Sequence, residues 1–169
     1  MEESRRRLRD EYLAKIVRVV ALLDDSDLWW RPNPSSNSIG NLLLHLDGNL
    51  RQWMVHGVGG EPDVRQRDAE FAALGGPSGR ALVRRLRRTV GEADAVLAGL
   101  GPRELQARRR IQGYDVTVLQ AVYHVVEHFS GHTGQLLYVA KLRRRRDLDL
   151  YPHLKPSGRS VRKRPRRFM

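Results

Sequence analysis

Residues 117–142 read TVLQAVYHVVEHFSGHTGQLLYVAKL, and the rest of the chain is best understood outward from them. Thr117 with Gln120 three residues on is a capping box, the signature of a helix start. Leu119, Val122, Tyr123, Val126, Phe129, Leu136, Leu137 and Ala140 then recur at helical steps and predict a long helix with a buried face. Within it His124, His128 and His132 stand four residues apart, with Gln135 three further on. At about 100° per residue these four side chains fall within roughly 80° of one another, on one face. An i, i+4 pair of imidazoles converges on one region, the spacing that helical zinc motifs use. Neutral imidazole nitrogen suits zinc, nickel, copper and iron alike. Six histidines in the chain also make one such pair by chance unsurprising, and a single helical histidine is commonly a hydrogen-bonded core residue. Two ligands seldom hold an ion, so the reading requires a third from elsewhere.

A second helix supplies a candidate. Ser38 is a suitable N-cap, and Ile39, Leu42, Leu43, Leu46, Leu50, Trp53 and Met54 form a core stripe running to about His56. His45 lies on the flank of that stripe, with Asn41, Asn49 and Gln52 along the same strip. An apolar helix that keeps a histidine and three amides on one strip is accommodating a polar site inside its bundle.

Two more helices complete the pattern. The first, from about residue 4 to 24, carries Leu8, Tyr12, Ile16, Val20 and Leu23 at steps of three or four, widened by Leu13 and Val17. It leads into LWWRPNPSSNS (28–38), a proline-rich loop that Trp29 and Trp30 would pin to the bundle. The third runs from about Ser78 to Leu100, with Leu82, Leu86, Val90 or Thr89, Ala93 and Leu97 inward. Between the second and third helices lies a long excursion, GVGGEPD (57–63) then VRQRDAEFAALGGPSG (64–79), with room for one short helical turn. Loops of that length in a compact bundle are commonly lids or binding loops. Its Arg65, Arg67 and Glu70 admit two readings: groups that meet an anionic substrate, or an ion-pair network holding the loop down. ELQARRRIQGYD (104–115) reads as extended or irregular, with Arg108, Arg109 and Arg110 solvated. The fold class is therefore all-α: an up-down four-helix bundle with a long loop between helices two and three.

Composition narrows the chemistry. At 169 residues one domain is expected, and 40% apolar residues suffice for its core. The chain has no cysteine, so any metal must be held by His, Asp or Glu. The stretch MEESRRRLRDEY lacks the apolar segment of a secretory signal, and no apolar run approaches the roughly 18 residues that span a bilayer, so a cytoplasmic protein without a membrane partner is expected. The net charge of +12 is uneven. Residues 143–169 hold eleven Lys/Arg against two Asp, whereas the other 142 residues carry 20 basic and 17 acidic groups. We therefore expect a bundle over 1–146 and a basic, flexible tail over 147–169, able to attract nucleic acid weakly and in a salt-sensitive way.

The segments NSIGNLLLHLDGNLRQW (37–53) and YHVVEHFSGHTGQLLYVAKL (123–142) resemble the two signature helices of the DinB/YfiT-like superfamily, metal-binding four-helix bundles that are often dimeric. The resemblance covers about residues 5–145, and its loop GEPDVRQRDAEFA (60–72) looks like that of one uncharacterised subgroup. It implies that His45, His128 and His132 are the metal ligands, with Gly134-Gln135 completing the motif, and that His124 is a supporting residue. Gln135, Asn41 and Asn49 are candidates for the same supporting role. Three histidines leave a coordination position open, as in catalytic zinc sites. Zinc or nickel is the expected ion. Relatives include S-transferases that use a low-molecular-weight thiol, so the resemblance implies a homodimeric, metal-dependent thiol transferase acting on a small molecule. A metal-dependent hydrolase and a non-catalytic metal-binding protein are the alternatives, beside a nucleic-acid-associated protein acting through its tail. Glu127 points about 100° away from His128 and is a poor general base.

Overall fold

The computed structural model describes residues 1–151 and Leu154. Apart from 147–151 and 154, the expected basic tail lies outside the described residues.

Four long helices build the bundle. The first is continuous from Glu2 to Val20, α-helical over Glu2–Arg6 and Leu13–Val20 and π-helical over Arg7–Tyr12 between them. A short helix, Asp25–Leu28, starts the proline-rich loop. The second long helix is α-helical over Ile39–Leu50 and continues in π-helical turns over Arg51–Val58. A short helix at Arg67–Ala72 interrupts the long loop, the single turn for which the sequence left room. The third long helix spans Gly79–Ala98 and the last Val118–Arg144. Of the segment read as extended or irregular, residues 104–106 instead end a short helix, Pro102–Gln106, and the rest enters a β-hairpin, Arg108–Ile111 against Tyr114–Thr117, with Arg108, Arg109 and Arg110 exposed. No helix among the described residues is long and apolar enough to cross a membrane.

The core forms where the apolar stripes meet. Ile16, Leu42, Leu43, Leu46, Leu50, Leu86, Leu97 and Phe129 are fully buried side chains from all four helices. Tyr123 departs from the expectation: it is 62% exposed, on the outer face of the last helix. Its hydroxyl makes either face tolerable, so periodicity alone does not orient it. Ile111 is the converse case, buried by the hairpin against Gly57, where a side chain would collide with it. Trp29 lies against Gly40 in the same manner, so that tryptophan does pin the loop to the second helix.

The helix starts follow the caps in the sequence. Thr117 and Gln120 form the predicted capping box, and Ser38 forms one with Asn41. Ser38 is fully buried, and its Oγ both accepts from the Asn41 amide and donates to Asn41 Oδ1. Ser38→Ala should therefore lower stability by about 1–2 kcal/mol, read by urea unfolding, at the upper end of cap effects because Asn41 loses a buried partner as well.

Candidate metal centre

His45, near the middle of the second helix, faces His128 and His132 on the last helix. One ring nitrogen from each lies within 4.8 Å of the other two. The ring centroids are 4.8 Å apart for His45 and His128, 4.9 Å for His45 and His132, and 4.4 Å for His128 and His132. The i, i+4 spacing brings the last two together, and the packing of the second helix on the last delivers the first.

Hydrogen bonds fix the ring tautomers. His45 Nδ1 is 2.9 Å from Glu70 Oε2, and a carboxylate only accepts, so Nδ1 carries the hydrogen. Its Nε2 is thereby left for the site, 2.9 Å from His128 Nε2. His132 Nδ1 lies 2.8 Å from Gln135 Oε1 and donates to it, which leaves His132 Nε2 free as well. Two imidazole nitrogens facing at hydrogen-bond distance require a proton or a cation between them. His128 Nδ1 is buried and has no hydrogen-bond partner. Burial, reinforced by His132 and His45 nearby, pushes the His128 imidazole down to about 2. His132 is also lowered, by burial against the opposing bond to Gln135. His128 and His132 are thus held neutral, the state in which imidazole binds a metal. The residues present fit a divalent ion.

The long loop is part of this centre. Arg65 grips Glu70 with both arms of its guanidinium, Nε to Oε1 at 2.8 Å and Nη2 to Oε2 at 2.9 Å, and is itself only 3% exposed. Its remaining arm donates to Gln52 Oε1 at 2.9 Å. Arg65 Nη2 also lies 3.1 Å from His45 Nδ1, but two N–H groups cannot bond each other, and both converge on Glu70. Burial alone would raise the Glu70 carboxyl; the bonds from Arg65 and His45 outweigh it and hold the group below its ordinary value. Gly48, one turn after His45, makes room: a Cβ there would overlap Glu70. Asn41 Nδ2 donates to the carbonyls of Glu70 and Ala73, and Arg31 Nη2 to those of Phe71 and Ala73. These four bonds satisfy carbonyls at the end of the short helix and fix Glu70 in place.

Each residue singled out in the sequence has a definite position. His124 stays outside the group of three; it stacks on Trp53 with ring centroids 3.8 Å apart, and its Nε2 accepts from Asn49 Nδ2 at 3.1 Å. Asn41 acts on the loop rather than on an imidazole. Gln135 supports His132. Glu127 is exposed. Of the two readings of the loop charges, the ion-pair network holds for Arg65 and Glu70 but not for Arg67, which rests 5.0 Å over the Phe71 ring. Sequence reasoning missed the contact of Glu70 with His45. The signal for it was Gly48, one turn from His45 on the same side of the helix.

Because an outer-shell carboxylate orients its histidine and raises its basicity, Glu70→Gln should weaken metal binding about 10–100-fold while helical circular dichroism is unchanged. Gly48→Ala should act in the same direction by displacing the carboxylate. Equilibrium dialysis with zinc checks both.

Comparison with known proteins bears on the fold and the family. A conserved protein of Enterococcus faecalis superposes with a TM-score of 0.71 at 16% identity, over 86% of this chain and 97% of that one. A DinB-like protein of Bacillus cereus gives 0.62 at 13% identity, over 78% and 85%. At these identities the likeness speaks for the fold, which is DinB-like. Comparison with curated proteins found no match. Residues 1–151 match the family described as a protein of unknown function, DUF1572, and the chain belongs to that family.

Proposed function

We propose that this protein binds one divalent metal ion through His45, His128 and His132 and uses it on a small-molecule substrate. The observation that carries this is the convergence of three imidazole nitrogens within 4.8 Å, from two helices, with Glu70 and Gln135 fixing two of the rings by their Nδ1 hydrogens. When bound, such an ion supplies Lewis acidity that brings the ionisation of a water or of a small thiol toward neutral pH. The chain's own residues hold His128 and His132 neutral, orient the rings, and place Phe71 beside His45 with centroids 4.6 Å apart.

Thiol-dependent S-transfer is the reaction we favour. Its support is the resemblance in the two helix motifs. The environment of Glu70 also weighs against the hydrolytic alternative. Among the described residues Glu70 is the carboxylate hydrogen-bonded to a member of the group, His45, and Arg65 and His45 already occupy it, so it is poorly placed to take a proton from water. Zinc or nickel is the ion we expect. The test is metal analysis of purified wild-type protein beside His45→Ala, His128→Ala and His132→Ala, followed by a screen of small thiols with a generic electrophile. Metal near one equivalent in wild type and near background in each variant supports the site; undiminished metal in all three variants refutes it. Thiol consumption that follows metal content supports S-transfer over hydrolysis.

A further inference from the structure

The two loop arginines stand two residues apart in the sequence and in opposite circumstances. The Arg65 guanidinium is buried and committed to Glu70 and Gln52. Arg67 is exposed, and among the described residues no carboxylate pairs with it. Its guanidinium lies over the ring of Phe71, one helical turn on, at 5.0 Å. The other neighbour of that ring is His45, at 4.6 Å. The short helix carrying both residues is fastened by the bonds from Asn41 and Arg31 to its last carbonyls, so Phe71 is a fixed platform. A guanidinium held over an aromatic ring still has N–H groups to donate, and its planar fork matches a carboxylate.

We infer that Arg67 is the recognition residue for the carboxylate of a small organic acid whose other end reaches the three histidines. This rests on the metal-site reading above and adds the class of ligand to it. The ligand carries a metal-binding donor such as a thiol at one end and a carboxylate at the other. The two ring contacts between Arg67 and His45 set a span of several carbon atoms between them. Arg65 has no share in this recognition, because its charge is already neutralised.

The test uses full-length, cobalt-loaded protein and the matched probes 6-mercaptohexanoate and 6-mercaptohexanol, each titrated by the visible spectrum of the cobalt. Wild type should bind the acid about fivefold more tightly than the alcohol, the size of one partly exposed charge contact, and the preference should shrink as salt is raised. Arg67→Ala should abolish the preference without changing cobalt content or affinity for the alcohol. Arg67→Lys should restore part of it. Arg84→Ala, which removes an exposed arginine of the third helix, should leave it intact. Full cobalt loading with no thiol response, or with equal binding of the two probes, overturns the inference and spares the metal site. A preference that survives in Arg67→Ala does the same. Failure of the wild type to take up cobalt overturns both readings, and metal analysis shows it before any thiol is added.

Discussion

Zinc should raise the melting temperature of the wild-type protein and leave that of His128→Ala unchanged. An ion that binds the folded chain alone stabilises it with the logarithm of the excess of its concentration over the dissociation constant, about 4 kcal/mol at a thousandfold excess. The His45 and His128 nitrogens face each other at 2.9 Å, and burial strongly disfavours half-buried His128 as a cation. Removing the His128 imidazole leaves His45 and His132 as two ligands, fewer than a stable site uses. Metal-free His128→Ala should therefore melt close to, or slightly above, the metal-free wild type, since a half-buried ring with an unpartnered Nδ1 contributes little to stability. The difference between the proteins should emerge only on adding zinc, in differential scanning fluorimetry at matched concentrations.

Phe129→Ala should produce the largest loss of stability. Phe129 is fully buried on the last helix, directly after His128. Such truncations cost about 3–5 kcal/mol. Set against a typical total of about 5–15 kcal/mol, that removes a large share of the folding free energy. The melting temperature should fall by roughly 6–20 °C. Saturating zinc should recover part of that loss, because the three imidazoles remain. Scanning calorimetry with and without the ion measures both effects.

Much of this architecture was legible in the residues themselves. The 3.6-residue stripes, the Ser38 and Thr117 caps and the turn residues marked all four long helices, because each signal there is local. The histidines of the last helix were legible for the same reason, since an i, i+4 spacing is a property of one helix. What escaped is what depends on two segments meeting. Glu70 lies 25 residues from His45 and contacts it through a loop whose course no periodicity encodes. The π-helical turns at Arg51–Val58, which bring Trp53 against His124, follow from packing rather than from any residue preference. Tyr123 was misplaced because an amphipathic ring fits a helical stripe as well outside as inside. Arg65 and Arg67 are chemically identical in the sequence, and only the surroundings of each make one a strut and the other a free cation.

The central claim is tested most directly by X-ray absorption spectroscopy of the zinc-loaded protein. The first shell should hold three imidazole nitrogens with one further light ligand, reduced to background in His45→Ala. A shell without imidazole scattering, or one unchanged by that substitution, would contradict it.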